Sequence, residues 1–148
     1  NFFIKKILIN VMNEYGVPSE GTALADVELN HMYESYLLDK HIYYILTIEN
    51  KIVGGAGIAP LKNSNKNICE LQKMYFLPVA RGKGLGSLMI KKCIDYASKS
   101  RFEYCYIETM HNMINAQKLY KKYGFEFIDS PLGNTGHSSC PVWMLKKL

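Results

Sequence analysis

The stretch Arg81-Gly82-Lys83-Gly84-Leu85-Gly86 constrains this chain most, because it follows an apolar, strand-like run and opens the best amphipathic helix pattern in the sequence. Glycines so spaced let the backbone turn tightly and bring successive N–H groups to one point. The first turn of the helix adds unsatisfied N–H groups and a positive dipole end, and Arg81 and Lys83 add charge. The combination makes an anion site, best suited to phosphate or pyrophosphate. A P-loop would need Gly-x-x-x-x-Gly-Lys-Ser/Thr, which is not present. A dinucleotide fingerprint, Gly-x-Gly-x-x-Gly, also fails: its last position falls on Ser87 counting from Gly82 and on Met89 counting from Gly84. Taken alone, such a turn can equally be an ordinary loop that binds nothing.

The rest of the pattern places this turn in an α/β chain. Phe3, Ile4, Ile7, Leu8, Val11 and Met12 recur at helical spacing, up to Gly16 and Pro18. A loop, Pro18 to Asp26, leads to an expected second helix around Val27 to Tyr36. Strands are expected at Tyr43–Glu49, Ile52–Ala59 and Glu70–Leu77, with a turn at Asn50-Lys51 and a stop at Pro78. The polar stretch Asn63–Asn67 reads as a hairpin loop. Leu85–Ser100 reads as a helix with Leu85, Leu88, Met89, Cys93, Tyr96 and Ala97 on one face. A strand at Tyr104–Thr109, a helix at Met113–Tyr123 ended by Gly124, and strands at Phe125–Asp129 and Val142–Leu148 complete the chain. The expectation is one domain over 148 residues, with a mixed sheet and helices on both faces.

A second segment turns the anion site into a specific resemblance. Arg81-Gly82-Lys83-Gly84-Leu85-Gly86 matches the R/Q-x-x-G-x-G/A motif of the GNAT acetyltransferase superfamily, and Ala116-Gln117-Lys118-Leu119-Tyr120-Lys121-Lys122-Tyr123-Gly124-Phe125 resembles its A-x-x-L-Y-x-x-x-G-F hallmark. The order and separation of both motifs agree with that family, and the likeness covers nearly the whole chain from Ile4. It implies a mostly antiparallel sheet splayed between two strands, with the family's usual first strand absent or lying before Asn1. It also implies acetyl-CoA as co-substrate, its pyrophosphate held by the loop from Arg81 through Gly82, Lys83, Gly84, Leu85 and Gly86 to Ser87. Pantetheine would lie between the strand ending at Leu77 and the strand Tyr104–Thr109 like an added strand, and backbone amides near Phe76 and Leu77 would serve the oxyanion. The family often has Asn three residues before the alanine of its second motif. Here that position is Met113, flanked by Asn112 and Asn115, and either neighbour can contact CoA or cap the helix.

Acetyl transfer from a thioester to an amine requires a deprotonated amine, donors to an oxyanion and, for the leaving thiolate, a proton. Tyr120 shares a helix face with Ala116, Leu119 and Tyr123, so it points at the sheet, where a tyrosine can be a satisfied core residue. The resemblance assigns it the acid role, which a phenol can perform. Glu70, at 70 against Arg81 at 81, stands at the offset that the catalytic glutamate has in the histone-modifying branch of the family, and it also reads as a strand-end carboxylate.

The acceptor would be chosen by the loops Gly16–Asp26 and Pro131–Pro141, with His137 and Glu34 as candidate substrate contacts. The resemblance implies a primary amine of a small molecule or amino-acid-like compound as acceptor. A non-catalytic acyl-CoA sensor on the same fold is the alternative. The charge of +5 comes from scattered lysine doublets, not one basic face, which with the absence of a recognised motif argues against nucleic acid. No apolar run approaches the roughly 20 residues of a membrane span. Cys69, Cys93, Cys105 and Cys140 have no C-x-x-C spacing and share no ligand spacing with the histidines, so buried reduced thiols, no metal and a cytoplasmic setting are expected. Relatives often pair through sheet edges, which makes a homodimer a further expectation.

Overall fold

The computed structural model describes residues 1–64 and 67–148. Helix α1 (Phe2–Glu14) buries Ile4, Ile7, Leu8, Val11 and Met12, while Phe3 from the expected stripe is exposed. The helix expected over Val27–Tyr36 is broken. Ala23–Ala25 and Val27–Asn30 are 3₁₀ turns, and α2 is the single turn Met32–Ser35. His31 (φ −135°) interrupts the segment, and the buried Leu29 and Met32 are three apart, the 3₁₀ period. His31 supplies no side-chain cap. Asn1 Oδ1 accepts the Tyr33 N–H at 2.7 Å in its place.

Six strands form one sheet: β1 (Ile42–Ile48), β2 (Lys51–Pro60), β3 (Ile68–Phe76), β4 (Tyr104–Thr109), β5 (Glu126–Ile128) and β6 (Val142–Lys147), in the order β1-β2-β3-β4-β6-β5. Only β3 and β4 run parallel. The β1–β2 turn lies at Glu49-Asn50, one residue earlier than expected. Both residues have positive φ and Ile48 pairs with Lys51, the geometry of a two-residue hairpin. Of the expected hairpin loop Asn63–Asn67, Asn65 and Lys66 lie outside the described residues.

Helix α1 and the turns after it cover one face of the sheet, where Leu8, Met12, Leu29 and Met32 pack with Tyr43 and Tyr75. Helices α3 (Leu85–Lys99) and α4 (Ile114–Lys122) cover the other, packing Ile90, Cys93 and Tyr120 on Ile58, Leu71, Ile107 and Met144. The buried stripe of α3 is Met89, Ile90, Cys93 and Ala97. Leu88, expected in it, is 67% exposed. All four cysteines are free and buried. Among the described residues, no helix is long and apolar enough to cross a membrane.

Two features of β3 open the sheet. Gly57 pairs with Gln72 and Gly55 with Tyr75, so Lys73 and Met74 oppose a single residue, Ala56. That bulge, with Lys73 at φ +49°, bends the strand. Pairing between β3 and β4 is confined to Ile68–Tyr104, Cys69–Cys105 and Glu70–Tyr106. Beyond Glu70 the two strands part.

Candidate active site

The parting strands frame a cleft of about 420 Å³, bounded by β3, the glycine turn, the end of β4 and the inner face of α4. Gly82 and Gly84 adopt φ of +69° and +74°, and a Cβ at either would meet nothing, so glycine is required there by backbone conformation and not by space. Gly84 caps α3 from the left-handed region without a side-chain bond. The first intrahelical donor is Leu88 N–H to the Gly84 carbonyl. The amides of Leu85, Gly86 and Ser87 therefore stand at the loop without helical acceptors, an anion site at the start of a fifteen-residue helix. Gly86 serves closeness: a Cβ there would lie 3.2 Å from Leu119 Cδ2 of α4.

Side chains around this turn behave otherwise than expected. Arg81 is not free for an anion. Its Nε donates to the Phe76 carbonyl at 2.8 Å, and both terminal nitrogens grip Glu14 at 2.6 and 2.8 Å, tying the loop to α1. Lys83, Leu85 and Ser87 contribute no side-chain wall to the cleft, and Lys83 is exposed. The Leu77 amide is spent on the Val53 carbonyl at 2.8 Å, so it is not available as an oxyanion donor. Because donors alternate along an antiparallel strand, Phe76 N–H turns to the opposite edge, toward the cleft, where its carbonyl already meets Arg81. Asn112 and Asn115 both border the cleft, and neither caps α4, whose cap residue is Met113. Asn112 donates instead to the Tyr15 carbonyl at the end of α1, at 2.7 Å.

Tyr120 is buried at 5% exposure and borders the cleft. No described residue hydrogen-bonds its hydroxyl, and no fully buried side-chain N or O among the described residues lacks a partner, so the hydroxyl opens onto the cleft. Burial raises its pKa and keeps the phenol protonated.

Beside the cleft lie a second cavity of about 280 Å³ and a narrow space of about 40 Å³, and Lys73 lines all three. Glu70 borders both of these spaces at 4% exposure. Its Oε2 accepts Gln72 Nε2 at 2.7 Å, and Gln72 Oε1 accepts the Tyr36 hydroxyl at 2.8 Å. The other oxygen, Oε1, has no partner among the described residues and faces the cavity. Burial pushes the Glu70 pKa up, against the opposing pull of Gln72 and the positive His137.

An ion network that sequence reasoning missed surrounds Glu70. Asp26 accepts Lys73 Nζ at 2.6 Å on one oxygen and His137 Nε2 at 2.8 Å on the other. His137 Nδ1 lies 3.5 Å from Glu108, whose oxygens also accept the Tyr106 and Thr135 hydroxyls at 2.7 Å. Burial pulls the His137 pKa down, but the bonds to Asp26 and Glu108 outweigh it and raise it to about 9. His137 is thus an imidazolium clamped between carboxylates, and both its nitrogens are occupied. Ser139 N–H donates to the Gly21 carbonyl at 2.9 Å, closing the two acceptor loops on each other. Glu34 lies elsewhere: it is exposed, accepts Asn1 Nδ2 at 2.8 Å and borders none of these cavities.

Ligand atoms of Glu108, His137 and Cys140 lie within 4.8 Å of one another, close enough for a metal. The donors do not suit one as they stand. In this network the same groups are already engaged: His137 Nε2 bonds Asp26 at 2.8 Å, and the Glu108 oxygens accept the Tyr106 and Thr135 hydroxyls.

Residues 8–125 match the acetyltransferase (GNAT) family. The chain is 43% identical over 146 residues to the uncharacterized N-acetyltransferase YjgM of Escherichia coli (strain K12), covering 98% of this chain and 87% of that protein. Its fold aligns with a GNAT-family acetyltransferase from Staphylococcus aureus MU50 at a TM-score of 0.83 and 22% identity, over 100% and 95% of the two chains. It aligns with a GNAT-family acetyltransferase from Elizabethkingia anophelis, solved with acetyl-CoA bound, at a TM-score of 0.61 and 20% identity over 84% of each chain. At these identities the two structures speak to fold alone. The splayed sheet, the glycine cradle and the match across most of its length agree: this chain belongs to the acetyltransferase (GNAT) family.

Proposed function

We propose that the chain moves an acetyl group from acetyl-CoA to the primary amine of a small-molecule or amino-acid-like acceptor. The observation that carries this reading is the neighbourhood on β3 of two built spaces: the cleft bearing the glycine cradle and Tyr120, and beside it a buried carboxyl, Glu70, with one oxygen held and one facing the acceptor-side cavity.

In this reading Glu70 takes a proton from the incoming ammonium, directly or through one water. The freed nitrogen pair attacks the thioester carbonyl carbon, the C–S bond breaks, and Tyr120 delivers its proton to the departing sulfur; the surplus proton on the new amide nitrogen then returns to the tyrosinate through water, and Glu70 releases its own to solvent. Phe76 N–H stabilises the oxyanion between those steps. The amides of Leu85, Gly86 and Ser87 hold the pyrophosphate. A protein that only sensed acyl-CoA would need neither a buried base nor an unbonded phenol.

The test is release of free thiol from acetyl-CoA across polyamines, aminoglycosides, amino acids and peptide N-termini, paired with acetyl-CoA thermal shift. Turnover with at least one acceptor class is expected. Binding without turnover across the panel would instead make the chain an acyl-CoA sensor, and no binding would end both readings.

A further inference from the structure

Lys73 should not be where it is. In a regular strand successive side chains point to opposite faces, so Lys73 would turn away from Glu70 and Gln72. The bulge at Lys73, with φ +49° in a non-glycine residue, re-aims it, and Lys73 joins both of them around the acceptor-side cavity. Left-handed backbone in a residue other than glycine is strained and persists where the surrounding structure over-determines it, which happens most at functional sites. The side chain is 5% exposed, and the ammonium has one acceptor among the described residues, Asp26. An ammonium carries three N–H donors, so two remain beyond the bond to Asp26, at a residue that lines the cleft and both smaller spaces. Asp26 cannot satisfy it further, because its other oxygen is taken by His137.

Resting on the acetyltransferase reading above, we propose that Lys73 is the acceptor-specificity residue and that the acceptor is an amino acid whose carboxylate docks on Lys73 while its amine meets Glu70. The two anchor points are three residues apart on one strand, and Glu70 feels the positive charges of both Lys73 and His137. The bound molecule must therefore carry its anion close to its amine, as an amino acid does. The charges of the network support the same choice. Lys73 and His137 offset Asp26 and Glu108, and a zwitterion brings an ammonium for Glu70 and a carboxylate for Lys73 without adding net charge, whereas a lone buried charge is costly.

The experiment compares kcat/KM for amino acids with their amides and with the corresponding decarboxylated amines, in wild type and in Lys73→Met. Wild type is expected to prefer the carboxylate-bearing acceptor, and Lys73→Met to lose about 30-fold more on amino acids than on amides, chiefly through KM. Lys73→Arg should retain part of the preference. A wild type that treats acid and amide alike overturns the assignment without any variant, as does a preference that survives Lys73→Met or a loss falling equally on kcat for both classes. If Lys73→Met fails to fold, Lys73→Gln, which keeps a donor toward Asp26, carries the comparison. These failures differ from failure of the acetyltransferase reading, in which acetyl-CoA binds and wild type consumes no acceptor at all.

Discussion

On the proposed reading, the donor-side cleft and the acceptor-side cavity, which share Lys73 in their walls, are built from different materials. The donor end is mostly backbone: two glycines at positive φ, three amides at the start of α3, and a strand edge freed where β3 leaves β4. Its arginine is spent on structure, bound to Glu14 and Phe76, and Lys83 stands exposed outside the cleft. The acceptor end is mostly side chains, with Asp26, Lys73, Glu108 and His137 brought from four separate segments and interlocked. A backbone site can serve every enzyme that uses the same cofactor, because it depends on local geometry. A side-chain network can be rewritten residue by residue, which suits it to the variable partner of a reaction.

The contrast breaks most readily at Glu70, to which the proposed mechanism gives the proton of the acceptor amine. Glu70→Gln is expected to lower kcat/KM by about 10²–10⁴-fold with acetyl-CoA affinity nearly unchanged. The raised pKa of Glu70 means the carboxyl stays protonated, and cannot accept a proton, to a higher pH than an ordinary glutamate. The acidic limb of the wild-type kcat/KM profile should therefore lie above the usual carboxylate range and vanish in Glu70→Gln. An unchanged limb would remove Glu70 from the base role. Tyr120→Phe tests the donor side of the same reaction: kcat should fall about 100-fold or more with little effect on acetyl-CoA binding.

The acceptor network should also register in stability. The His137 pKa is about 9 in the fold, against 6.5 for the free side chain. Because it is raised, its contribution is complete below pH 6.5 and is lost as pH climbs through 9, reaching about 3 kcal/mol at most by linkage. Thermal midpoints of the wild type should fall across that window, and His137→Asn should flatten the fall. Equal slopes in the two proteins would show that the imidazolium is not the clamp.

These materials also explain what could be read from the amino-acid order. The glycine cradle, α3, the Tyr120 helix and the strand sequence were legible because each depends on residues close in sequence. Glu70 was singled out as a candidate through the offset from Arg81 that the resemblance supplies, and the structure buries it beside two cavities. The network was not, because Asp26 and His137 are 111 positions apart and each stands in a loop with no periodicity to place it. Lys73 was not singled out, because nothing in strand alternation signals the bulge that turns it toward Glu70. The second helix was overread for a related reason: its buried pair, Leu29 and Met32, fits one 3₁₀ turn as well as a longer helix. Leu88 fell in the α3 stripe by spacing, yet it sits at the edge of that stripe, toward solvent.

At the donor end, a backbone-built site makes conformation matter more than charge. Gly84→Ala adds no clash, so its whole effect comes from forcing a Cβ into φ +74°, about 1–2 kcal/mol. Acetyl-CoA should bind about tenfold more weakly while acceptor discrimination is unchanged. Lys83→Ala removes a full positive charge from the same turn and should matter less. The side chain is exposed, borders no part of the cleft and acts through screened solvent. A charge so placed at a helix start contributes about 1 kcal/mol or less, so titration of acetyl-CoA should show a shift within about fivefold that shrinks as salt is added. A larger, salt-resistant loss in Lys83→Ala than in Gly84→Ala would reverse the order and mean that the cradle holds its anion by side chain after all.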